Sequence, residues 1–66
     1  MIRRVIKTWI ARDKDNDLGL YLLSPVSNGD CWSRVHYIIP LNDNLFQEVQ
    51  WSTGPIEVEL VIKNNI

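Results

Sequence analysis

Three groups of side chains in this sequence have types and spacings that could do chemistry. Asp13, Asp15 and Asp17 occupy alternate positions, the way a calcium loop opens around a hard cation. The pattern then fails: Leu18 stands where that loop needs a glycine, and Ser24 where it needs a closing glutamate. The aspartates therefore read as a solvated turn. Cys31 and His36 are the single thiol and the single imidazole. Five residues apart on a strand, they fall on opposite faces. No third group is placed to orient the imidazole for nucleophilic work. As metal ligands they would need two more partners, and only Asp30 stands at a sensible distance. Glu57 and Glu59 share a strand face about 7 Å apart, which suits paired carboxylates and suits a solvated face equally. The sequence thus gives no catalytic residue, no metal site and no cofactor, and the chain reads as a non-enzyme.

The aromatic residues offer binding instead of turnover. Trp9, Trp32 and Trp51, with Tyr21, Tyr37 and Phe46, are a heavy load for 66 residues, and Arg12 and Arg34 stand near them. Aromatic faces beside a guanidinium can stack a nucleobase and hold a phosphate. They also anchor protein interfaces, where Trp, Tyr and Arg carry much of the binding energy. The plainer reading is that the tryptophans fill a core that lacks helices. Trp9, Arg12, Trp32, Arg34 and Trp51 are the expected contact residues. Trp32 and Arg34, two apart, share a face of a regular strand beside the Asn28-Gly29 loop. Trp9 and Arg12, three apart, share one only if the strand twists or bulges at its end.

The elements that must position these residues are β-strands. Residues 4–12 alternate, with Ile6, Thr8 and Ile10 on one side and Val5, Lys7, Trp9 and Ala11 on the other. Residues 13–17 turn the chain, and residues 18–23 return as the second arm of a hairpin, with Gly19 marking a bulge or loose entry. A loop around Asn28-Gly29 leads to a third strand over residues 31–39, which Pro40 is expected to end for want of an N–H. Asn42, Asp43 and Asn44 are expected to cap one short helical turn, and residues 49–51 to pair as a short strand. Residues 56–63 have the cleanest alternation: Ile56, Val58, Leu60 and Ile62 against Glu57, Glu59, Val61 and Lys63. The expected fold is all-β, a small antiparallel sheet or curled meander of four to five strands in one domain over residues 1–66.

Composition fits such a domain. Hydrophobic residues make up 45% and charged residues 23%, too apolar a mix for disorder. Seven Lys and Arg against eight Asp and Glu leave a formal charge of -1, so no global positive field draws nucleic acid. The longest apolar run, residues 37–41, is far short of the roughly 18 needed to span a bilayer, so no membrane partner is expected. One cysteine and no signal-peptide core point to a reducing cytoplasm. A fold of this size buries apolar surface worth on the order of 100 kcal/mol, and ordering the chain costs on the order of 100 kcal/mol. A lone chain sits near zero net stability, so a homo-oligomer, a dimer or higher, is expected.

Two motifs resemble a known group. Trp9-Ile10-Ala11-Arg12-Asp13-Lys14-Asp15 followed by Leu20-Tyr21-Leu22, and Leu45-Phe46-Gln47-Glu48-Val49-Gln50-Trp51 followed by Pro55-Ile56-Glu57-Val58-Glu59-Leu60, resemble small phage and prophage accessory proteins of gut bacteria. A middle-loop tryptophan, Trp32, and the Tyr37-Ile38-Ile39-Pro40 segment match as well. The chain departs from that pattern at Asn16-Asp17, where a glycine is usual, and at Gln47, where a proline is usual. The resemblance carries no assigned activity. It implies a protein in the cytoplasm of a bacterial host that acts by occupying its target: a host-defence inhibitor that binds a host protein or sequesters a small nucleotide. Two alternatives stay open, a structural or assembly component of the virion, and a nucleic-acid binder through Arg3, Arg4, Lys7 and Arg12.

Overall fold

The computed structural model describes residues 2–64 and shows an all-β fold. Its four strands are β1 (Ile2–Arg12), β2 (Leu18–Tyr21), β3 (Tyr37–Leu41) and β4 (Ile56–Asn64). They form one antiparallel sheet in the order β3-β2-β1-β4. Valine, isoleucine, threonine and tryptophan alternate along β1, which suits a strand packed on both sides. Asn16 makes the turn into β2 with a φ of 83°, a left-handed conformation that asparagine tolerates better than most residues. The expected hairpin and the expected long final strand both form.

The middle of the chain departs from the sequence reading. Residues 31–36 are not a strand but the end of an irregular loop, with one isolated bridge between Ser27 and Trp32. The reason lies in competing acceptors. Asn28 Oδ1 takes the backbone N–H groups of Asp30 and Cys31 at 3.0 and 2.9 Å, and Asp13 Oδ1 takes that of Trp32 at 2.9 Å. Donors held by side chains are lost to a ladder. Cys31 and His36 therefore do not lie on opposite faces of a strand. Nor does Pro40 end β3; it sits inside it, opposite Gly19. An edge strand accepts proline because its outer side has no ladder to break. Residues 42–53 hold successive turns in place of the expected helical turn and short strand.

Both faces of the four-stranded part are covered, by different loops. On one face Ile10, Leu18, Leu20 and Val49 are buried together, with Leu41 and Val58 against them. On the other, Ala11, Tyr21 and Trp32 are buried, flanked by Trp9, Tyr37 and Trp51. The period of two sends Ile10 and Ala11 to opposite sides, so these are called the Ile10 face and the Trp9 face. The strands are staggered as well. β1 pairs with β2 only over Trp9–Arg12, whereas it pairs with β4 from Ile2 to Ile10. A two-stranded ribbon therefore runs out beyond the four-stranded part, and the molecule measures 44 × 23 × 16 Å.

Gly19 is fixed by close approach. A Cβ there would lie 2.8 Å from Tyr37 Cε1 and 3.2 Å from Tyr21 Cε1, where the two rings meet edge to face at 5.4 Å. Glycine to alanine in a strand ordinarily gains stability by restricting the unfolded chain. Gly19→Ala is expected to do the reverse and cost about 1–3 kcal/mol through overpacking. A urea titration reads this directly, and a midpoint equal to or above wild type would show that the tyrosines can yield.

Candidate functional site

Arg12, expected at a contact surface, is 2% exposed at the end of β1 on the Ile10 face. Its Nε donates to the Val49 carbonyl at 2.7 Å. Nη1 donates to Asn16 and Asp43 carbonyls at 2.9 and 3.1 Å, and Nη2 to those of Leu45 and Phe46 at 2.9 and 3.3 Å. A guanidinium has five N–H donors, and here each meets a carbonyl. None remains for a ligand. Arg12 organises the loop over residues 43–49, and through it brings Phe46 and Val49 over the sheet.

The next residue does the same on the other side. Asp13, 3% exposed, points to the Trp9 face, accepts the Trp32 backbone N–H through Oδ1, and accepts Arg34 Nη2 through Oδ2 at 2.7 Å. Trp32 also donates its indole Nε1 to the Arg12 carbonyl at 3.0 Å. Trp32 is thus a buried wedge with both N–H groups satisfied, its ring 5.0 Å from that of Trp51. Trp9 and Trp51 are half-buried beside it, and Lys14 Nζ lies 5.4 Å from the Trp51 ring. Arg34 stays open: its side chain is 48% exposed and crosses the Tyr37 ring at 4.6 Å. Its Nη1 donates to the Tyr21 hydroxyl at 3.3 Å. Burial pushes that hydroxyl above the usual tyrosine range, against the pull of Arg34.

The structure therefore joins Trp9, Trp32, Trp51 and Arg34 in one cluster and leaves Arg12 on the opposite face. Nor does it gather the basic residues of β1 whose side chains are described, Arg3 lying outside them. Arg4 faces with Ile10, Lys7 faces with Trp9, and Arg12 is inside. Among the described residues no three His, Cys, Asp or Glu side chains come together to hold a metal. Cys31 accepts a long hydrogen bond from Asn28 Nδ2 at 3.3 Å. His36 lines a cavity of about 290 Å³ with Leu23, Pro25, Val26 and Val35, where no second ionisable group joins it. No helix of the described residues is long and apolar enough to cross a membrane.

What the sequence reading missed lies on the Ile10 face. Thr8, Ile10, Leu20 and Val58 floor a groove of about 300 Å³, and Leu41, Phe46 and Leu60 wall it. Phe46 is half-exposed with a φ of 50°, a left-handed conformation that is an outlier for a bulky residue. Two donors fix it: Arg12 Nη2 and the Val49 N–H, at 2.9 Å, both meet its carbonyl. From Leu60, Ile6 and Ile62 continue an exposed apolar strip along the ribbon. No protein-family model, curated protein or solved structure matches the chain.

Two outcomes follow from this geometry. Arg12→Lys keeps the charge but has three donors for five carbonyls, and since only the Phe46 carbonyl has a second donor, the Val49 N–H, at least one acceptor is left without a partner. At about 1–3 kcal/mol for each unsatisfied group, it is expected to cost at least about 1–3 kcal/mol in a urea titration. A loss under 1 kcal/mol would mean that the loop is held by its apolar contacts. Tyr21 gives a dependence on pH. Its folded-state value is raised, so its contribution to stability is whole below about pH 10 and is lost as pH climbs through the folded value. Wild-type stability should therefore fall more steeply above pH 10 than that of Tyr21→Phe, and parallel curves would refute the assignment.

Proposed function

We propose that this chain is a non-enzymatic binding protein of the phage accessory type, which docks an apolar segment of a host protein on its Ile10 face. The observation that carries this reading is Phe46, a large aromatic held half-exposed in a strained backbone at the rim of an apolar groove. Strain of this kind costs on the order of 1–3 kcal/mol and persists where the surroundings over-determine it, often at binding sites. Arg12 supplies that constraint from inside. The groove is at the lower end of the roughly 300–1,000 Å³ range of small-molecule sites and presents hardly any polar groups. It suits an inserted apolar side chain better than a nucleotide. A nucleotide would also need a guanidinium at the groove, and on this face Arg12 is spent on carbonyls, while Arg34 is paired with Asp13 on the other. These two engagements favour a protein target over a sequestered nucleotide signal.

Phe46→Asn separates binding from folding. Asparagine accepts the left-handed conformation, so relief of strain offsets the lost aromatic contact and the melting temperature should stay within a few degrees. Purified from the bacterial host, the wild-type chain is expected to hold one host protein in a complex of fixed stoichiometry by native mass spectrometry. Phe46→Asn should lose that protein, and Leu23→Asp, on an exposed site away from the groove, should keep it. A complex that survives Phe46→Asn, or a retained nucleotide mass in its place, would sink the reading.

A further inference from the structure

The two edges of the sheet are treated differently. β3 is five residues long, contains Pro40 and meets β2 through a register shift next to Tyr21, all features that discourage another strand from adding. β4 is nine residues long and pairs with β1 without interruption, with neither proline nor glycine in it. It is the outermost strand, and the part of it beyond Glu57 belongs to the projecting ribbon, where only β1 lies alongside. A two-stranded ribbon alone is marginal in water. Here Val5 and Val61 are exposed on one side of it, and Ile6, Leu60 and Ile62 on the other.

We propose that β4 adds antiparallel to the β4 of a second copy, about a two-fold axis through Leu60, so that two sheets become one of eight strands. Leu60 is the midpoint of Ile56–Asn64, so this register uses the whole strand. It sets Leu60 opposite Leu60, Val58 opposite Ile62 of the second copy, and Glu57 opposite Lys63 of the second copy. Opposite charges across a strand pair are favourable and like charges are not. A shift to an axis at Glu59 would set that carboxylate against itself. The other open edge, β1 ahead of Trp9, carries Arg3, Arg4 and Lys7 and no carboxylate, so no axis on it gains an opposite-charge pair. An axis at Val5 would set Arg3 against Lys7 of the second copy, two positive charges. β1 against β4 of a second copy is a head-to-tail contact, which closes no dimer and runs on into rings or fibres. The β4 pairing closes. It also brings the two grooves, each walled by Leu60, together on one side of the joined sheet. The pairing does not depend on the Phe46 reading of the groove.

Sedimentation and a charge exchange test the register. The wild-type chain at micromolar concentration should sediment as a dimer. Glu57→Lys and Lys63→Glu should each weaken that dimer about tenfold, since each makes two like-charge pairs across the axis, and the double exchange should restore it. In a Cys31→Ser background, Leu60→Cys should form a disulfide-linked dimer on mild oxidation, because residues on a two-fold strand axis approach to about 4.5–5.5 Å. Ile6→Cys, on β1, should not. A monomer at every concentration overturns the proposal, as does a dimer indifferent to the charge exchange and not captured through Leu60. Phe46→Asn should leave the dimer intact, so a failed groove and a failed dimer give different results.

Discussion

Arg12 and Asp13 stand where the sheet stops, and everything outside the sheet hangs from them. Neighbours on an extended chain project to opposite sides, so one dipeptide reaches both faces. Arg12 gathers carbonyls from residues 16, 43, 45, 46 and 49 on the Ile10 face. Asp13 gathers the Trp32 N–H and the Arg34 guanidinium on the Trp9 face. The two long loops have no ladder of their own apart from one isolated bridge. Their backbone groups still need partners when buried, and side chains of this pair supply many of them. The strand ladders alone could not do so.

The buried guanidinium has no carboxylate among its hydrogen-bond partners, which alters what it contributes. An ion pair would neutralise it; five carbonyl dipoles solvate it in place of water instead. Arrangement matters more than net energy in such a case, because a half-satisfied buried cation is costly and a rival loop conformation must leave it half-satisfied. The loop over residues 43–49 is thereby held to one shape, including the left-handed Phe46. This is how a chain with little surplus burial can carry a strained residue. The strain is local, and the constraint that holds it is anchored in β1.

The strands were legible from the sequence because alternation is a local property. Ile56, Val58, Leu60 and Ile62 do share a face, and the first hairpin forms where the turn residues placed it. The third strand was misread for a reason no pattern of hydrophobicity carries. It holds β-branched and aromatic residues, yet the Cys31 backbone donor is claimed by Asn28 and that of Trp32 by Asp13, far upstream in the chain. Pro40 was read as a stop because edge and interior strands look alike in one dimension. Residue type marks the tryptophans and arginines as contact residues, and type does not say whether a donor is already spent. Asp13 carried the missing signal, since a single aspartate directly after an arginine at a strand end can serve both faces.

The two faces have come to differ in kind. The Trp9 face is closed over its inner end by large aromatic rings, of which Trp32 bonds to the Arg12 carbonyl and the Asp13 carboxylate, and Tyr21 lies under Arg34. Its aromatic wealth is used up in closing it. The Ile10 face is covered only over its inner end, because the loop that Arg12 holds extends no farther than Phe46, and aliphatic side chains lie open along the ribbon. A small all-β chain cannot seal both sides with the residues it has. Closing the inner end of one with its tryptophans leaves Val5 and Val61 open farther out on that face, and a longer aliphatic run, Ile6, Leu60 and Ile62, open on the other. The same shortage leaves β4 without an outer neighbour. An open apolar face and an open strand edge on one ribbon are thus two consequences of one limit, the number of side chains that a single arginine and aspartate can bring over a four-stranded sheet.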